Sequence, residues 1–200
     1  ELGIINSVGE GLAKQLDFQA IVDLVGEKIR EVFNAQVVSI STYNSDDDTI
    51  HHRYVVEKEE RYYFDQPIKI DPDRKEIVDT KRPLIFGSSQ EIIEHSGEQV
   101  LEGEMPESFL GVPIIHNQTP TGIITIQDLD RNNLYSEKDG QLLLTLASNM
   151  GVALENARLF EETKRLLNET QQRNVELAIL NAIQEGLVME MNFNSIITLV

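Results

Sequence analysis

The side chains best suited to hold a small molecule are short polar groups set among aliphatic ones on β-patterned segments. Ser39 and Ser41 stand two apart in residues 36–43 (QVVSISTY), so a strand there puts both on one face. Ser108, Thr125 and Gln127 are the polar positions of the two strongest strand patterns, residues 108–115 and 122–128. Phe86, Ser88 and Ser89 lead into a polar stretch, residues 87–107. Arg53 lies on the run 49–56 (TIHHRYVV). Its guanidinium either holds an anionic effector through charge-assisted hydrogen bonds or pairs with a neighbouring acid at the surface. The chemistry of this set is binding.

Catalytic constellations are missing from the sequence. It contains no H-E-x-x-H, no glycine-rich phosphate loop ending in Lys-Ser/Thr and no G-x-S-x-G elbow. Gly9-Glu10-Gly11 lies inside a helical pattern, without the strand that a dinucleotide loop needs before it. The chain has no cysteine, which excludes thiolate zinc sites, cysteine nucleophiles, disulfides and thioether-linked chromophores such as attached bilins. His51 and His52 alternate faces of a predicted strand and cannot both reach one metal. His116 falls in a hairpin turn, and His95, in the polar stretch, is the one histidine placed to be an axial ligand of noncovalent haem. None shows zinc spacing, so no metal site and no catalysis are expected.

These residues need elements to position them. Leu2, Ile5, Val8 and Leu12 predict an amphipathic helix over residues 2–15. Asp17 caps a second, whose face is Ile21, Val22, Val25, Ile29, Val32 and Phe33. The polar turn 44–48 joins the strands 36–43 and 49–56. A short extended piece at 67–70, a brief helix at 73–81 ended by Pro83, and a strand at 84–86 follow. Residues 87–107 read as an irregular loop, and loops of that length inside a domain are functional or disordered. Residues 116–121 turn the hairpin between the last two strands.

From Ser136 a helix runs for roughly 40 residues, well beyond the few turns that one domain usually needs. Leu143, Leu146, Met150, Ala153, Ala157, Phe160 and Leu167, continuing to Thr170, Asn174 and Leu177, follow steps of three and four, with one gap at Lys164. Such a stripe is a coiled-coil seam, so a homodimer through the terminal helices is expected. Its first half has a competing use, packing on the domain's own sheet. Residues 1–25 (ELGIINSVGEGLAKQLDFQAIVDLV) also align without gaps on residues 176–200 (ELAILNAIQEGLVMEMNFNSIITLV). The expected organisation is one domain at 1–160, a helical coiled-coil linker at 161–175, and the truncated start of a second copy at 176–200. A start at Glu1 rather than methionine fits a piece of a tandem array.

The net charge of −17 opposes nucleic acid and anionic lipid, and no Lys/Arg cluster offsets it. No apolar run approaches the ~20 residues that span a bilayer, so neither membrane insertion nor a secreted form is expected and a cytoplasmic location is the reading.

The run SFLGVPII, a turn, GIITIQD and then LYSEKDGQLLLTLASNMGVALENARLFEE resembles the C-terminal half of a GAF domain. With the elements before it, the resemblance covers about residues 2–165. It implies an α/β (α+β) fold, a central antiparallel sheet of about six strands. Terminal helices would lie on one face, and a ligand pocket roofed by residues 71–107 on the other. It implies a sensory input domain of a multidomain signalling protein, non-catalytic itself, acting on an output domain through a dimeric helix. A ligand-free dimerisation or spacer module is the alternative. The effector is an unknown small molecule. The cyclic-nucleotide signature is incomplete: Tyr135 and Asp139 match, Gly140 replaces the final acid, and no Asn-Lys pair precedes them. A small-molecule enzyme on this fold, such as a methionine sulfoxide reductase, depends on cysteines that are absent here.

Overall fold

The computed structural model describes residues 17–97 and 104–198, with side chains through residue 185. The predicted helix over 2–15 lies outside the described residues. Helix α1 (Phe18–Phe33) opens on Asp17, whose carboxylate accepts from the Ala20 amide at 2.8 Å, and closes on Asn34 in the left-handed region. Its apolar residues recur every three or four positions, and Ile21, Val22, Val25 and Ile29 are fully buried. Each contributes roughly 1.5–3 kcal/mol by leaving water.

Seven strands form one antiparallel sheet: β1 (Val37–Asn44), β2 (Thr49–Glu57), β3 (Glu60–Tyr62), β4 (Ile68–Lys69), β5 (Leu84–Phe86), β6 (Ser108–His116) and β7 (Thr119–Asp128). Their order is β3-β2-β1-β7-β6-β5, with β4 also paired to β2. This agrees with the expected sheet of about six strands; β3 and β4 are short pieces paired to β2. Between strands lie α2 (Pro72–Thr80) and α3 (Ser89–Ser96), and α4 (Glu137–Thr198) ends the order. Helix α3 occupies part of the stretch that reads as loop. Only Ile92 of its residues is buried, too weak a pattern to signal a helix. Its cap is nonetheless in the sequence: Ser88 Oγ accepts from the Glu91 amide at 3.3 Å.

Strand alternation sorts side chains to two layers. On one face Val38, Ile40, Tyr54, Val56, Leu110, Val112, Ile114, Ile124 and Ile126 meet α1 and the start of α4 in one continuous core. Gly26 is required there, because a Cβ would stand 2.6 Å from the Tyr54 ring. On the other face Ile50, Ile77, Val78, Phe86, Ile92, Phe109 and Ile123 make a smaller cluster beneath α2 and α3.

Helix α4 runs over 62 residues and is shared by two compact units, the chain dividing between Ala157 and Arg158. Its capping box is reciprocal: Asp139 accepts from the Ser136 amide at 2.8 Å, and Ser136 Oγ accepts from the Asp139 amide at 3.4 Å. Within the first unit, Leu143, Leu146, Met150, Ala153 and Ala157 are buried in the domain's own core. This corrects their expected place in a dimer seam: the sheet already covers the apolar half of that stripe. In the second unit, Phe160 and Leu167 are about half exposed, as are Leu159, Leu166, Leu177 and Leu180. No helix among the described residues is long and apolar enough to cross a membrane.

Candidate functional site

A cavity of about 350 Å³ separates the sheet from α2 and α3. That is the lower end of the size range of small-molecule sites. Its floor takes Ser39 from β1, His52 and Val55 from β2, Phe109 from β6 and Gln127 from β7. Its roof takes Asp71 and Arg74 from the start of α2 and Ile92 and Ser96 from α3. Phe64 and Met105 close the sides.

The floor is polar and, apart from Glu57 at the end of β2, uncharged. His52 Nδ1 lies 2.7 Å from Ser41 Oγ and 3.3 Å from Ser39 Oγ, and its ring stacks at a tilt on Phe64, 4.9 Å between centroids. Burial pushes the imidazole pKa down to about 4, helped by the nearby Arg74 charge, so the ring is neutral at pH 7. Thr125 pairs with Ser39 across the strands and is buried beside it, its Oγ1 without a hydrogen-bond partner.

The roof carries the charge. Asp71 caps α2 by accepting from the Arg74 amide at 3.0 Å, and Pro72 occupies the first turn, where a missing amide hydrogen costs nothing. Arg74 Nη1 donates to Asp71 at 2.7 Å, with both side chains about 13% exposed. Burial works to raise the Asp71 pKa. The guanidinium and the Arg74 amide outweigh it and hold the carboxyl below its ordinary value. His95 joins the roof helices: Nδ1 lies 2.8 Å from Asp73 and Nε2 2.7 Å from Glu76. The ring can donate from both nitrogens only when protonated. The hydrogen bond to Asp73 raises its pKa against the opposing effect of burial, with Glu76 adding to the rise. Both nitrogens being engaged, His95 has none free to ligate haem. Among the described residues no group of three or more His, Asp or Glu is arranged to hold a metal ion.

Of the residues singled out from sequence, Ser39 and Gln127 line the cavity, and Ser41 and Thr125 lie in the same layer. Phe86 is buried in the roof-side cluster, 5.1 Å from the His95 ring and 5.8 Å from Phe109. Three expectations are corrected. Arg53 is the extra residue of a β-bulge, since Ile40 pairs with Tyr54 and Ser41 with His52. The bulge sends Arg53 away from the cavity to Phe18 of α1, 5.7 Å from the ring, with Nε donating to Thr42. Ser108 lies on the helix-covered face; it donates to the Arg131 carbonyl and accepts from the Leu134 amide, tying down the loop before α4. Ser88 and Ser89 serve α3, the one as cap and the other donating to Glu107. Sequence reasoning missed His52, Asp71 and Arg74. The signal was present for Asp71, an Asp-Pro pair opening a helix, and absent for the other two.

A family model described as GAF domain matches residues 15–155. No curated protein matches the chain. Among solved structures, the GAF domain of an Acinetobacter phosphoenolpyruvate-protein phosphotransferase is similar at a TM-score of 0.68 and 12% identity, covering 79% of this chain and 94% of that one. A methyl-accepting chemotaxis protein fragment aligns at 0.65 and 12%, covering 76% and 98%. Free methionine-R-sulfoxide reductase from Neisseria meningitidis, solved with its substrate, aligns at 0.62 and 13%, covering 78% and 89%. At these identities the likeness is one of fold.

Proposed function

The chain belongs to the GAF domain family of sensory and regulatory domains, and from that premise we propose that it is the input module of a signalling protein. A small molecule binds in the cavity between the sheet and α2/α3. Its effect reaches a further module through α4, paired with the same helix of a second chain. The observation that carries this reading is the unequal finish of the sheet: one face is filled by helices, while the other holds a walled cavity. Helix α4 starts in the filled core and is a single helix over 62 residues, which suits a transmitting element. Its exposed Leu159, Phe160, Leu166 and Leu167 suit a partner helix. Residues 161–175 are then the linker, and residues 176–200 open a second copy of the domain. The regulatory reading is preferred to an enzymatic one because the family that the chain belongs to is one of sensory and regulatory domains.

Two measurements test it. Thermal denaturation against a metabolite library should find a stabilising compound; at 100 times its dissociation constant a ligand adds about 2.7 kcal/mol. Light scattering should give twice the mass of one chain. A dimer that no compound stabilises means a spacer, and a monomer at high concentration contradicts the helical relay.

A further inference from the structure

We infer that the cavity selects a ligand without negative charge, one that lays an apolar ring-sized body against Phe64, Ile92, Met105 and Phe109 and presents a hydrogen-bonding edge to Ser39, His52 and Gln127. The inference rests on the proposal that this cavity is a ligand site.

Glu57, Asp71, Asp73 and Glu104 line the cavity, and Arg74 is the cation among the lining residues. Arg74 is committed to Asp71 at 2.7 Å. Glu104 pairs with Lys58 at 3.0 Å, and Asp73 and Glu76 share His95. Even with His95 protonated, five carboxylates, including Glu76, face three cations. Glu57 has no ion-pair partner among the described residues. His52 cannot supply the missing positive charge, because it stays neutral until about pH 4. A phosphate or carboxylate entering here meets like charge and, among the described residues, no unpaired cation.

The cavity offers neutral groups instead. His52 engages the serines through Nδ1, and Nε2 has no hydrogen-bond partner among the described residues. The Gln127 amide lines the same floor, likewise without one. Together these can donate to and accept from an amide or a ring nitrogen. The walls supply two aromatic rings, an isoleucine and a methionine, the usual lining for a small organic body.

Benzamide and benzoate differ in charge and hardly in shape, so they serve as the probes. Amide shifts of the full chain are followed by two-dimensional NMR as each is added at pH 7. Benzamide should shift residues of the cavity floor, with benzoate at least about tenfold weaker, as expected for one unmet charge contact. A Glu57→Gln, Glu104→Gln variant should narrow the gap, as should raised salt. Gln127→Leu should weaken benzamide by about fivefold or more with the fold unchanged by circular dichroism. Benzoate binding in the cavity as tightly as benzamide overturns the inference and leaves the ligand site standing. If neither shifts the cavity residues at about 10 mM, weaker than any ordinary fragment, both are overturned.

Discussion

The face of the sheet under α1 and α4 and the face under α2 and α3 are built from alternate residues of the same strands. On the first, Val38, Ile40, Leu110, Val112, Ile124 and Ile126 are completely or almost completely buried against two long helices. On the second, the intervening positions include Ser39, Ser41, Thr125 and Gln127, and the covering helices have eight and nine residues. A strand central in a sheet covered on both sides ordinarily carries apolar residues on both faces. Here one face departs from that rule and gains a cavity. Local exceptions to a packing pattern of this kind are where a functional site is to be sought.

The most severe way to break this comparison is to cut into the filled face. Leu143→Ala, at a fully buried position, should cost about 3 kcal/mol in denaturant unfolding, because the surrounding core cannot close over the void. A loss below about 1 kcal/mol would mean that α4 is not packed as described.

Acid should act on the cavity face. The unfolded His52 takes up a proton near pH 6.5, whereas the folded one resists until about pH 4. The unfolded state therefore binds more protons in that window, and stability should fall as pH drops from 6.5 to 4, by on the order of 2 kcal/mol. Comparison with His52→Gln isolates this slope; parallel curves for the two proteins would refute the buried neutral imidazole.

A smaller effect has the opposite sign. Thr125→Val removes a buried hydroxyl that has no partner and keeps the side-chain shape, so it should leave stability unchanged or raise it by about 0.5–1 kcal/mol. Destabilisation by that amount would reveal a partner for the hydroxyl. The smallest effect concerns the roof. His95 has a raised pKa, so its contribution is fully present below its unfolded value near 6.5 and is lost as pH rises through the folded value. With a third of the side chain exposed, screening keeps it to roughly 0.5 kcal/mol. His95→Gln should match the parent protein at pH 8.5 and fall below it at pH 5.5, in melts followed by circular dichroism.

Much of the two-faced sheet was legible in sequence, because Ser39 and Ser41 alternate with Val38 and Ile40, and Thr125 and Gln127 with Ile124 and Ile126. Arg53 shows where that rule ends: one bulged residue reverses the phase of β2 midway, and no residue type in TIHHRYVV announces it. Arg74 and His52 reach the cavity through a helix and a strand far apart in sequence, a meeting that only tertiary packing brings about. For α4, periodicity alone could not tell a stripe covered by the domain's own sheet from one open to a partner. Leu143 and Leu167 look alike in sequence and differ completely in exposure.

The central claim is that the roofed face binds and the filled face does not. Amide shifts across the whole chain, recorded with a cocktail of small uncharged aromatic fragments, test it most directly. Shifts should gather at Ser39, His52, Ile92, Phe109 and Gln127, with Ile21, Leu110 and Leu143 unmoved. Shifts centred on α1 and the start of α4, with the roofed face silent, would contradict it.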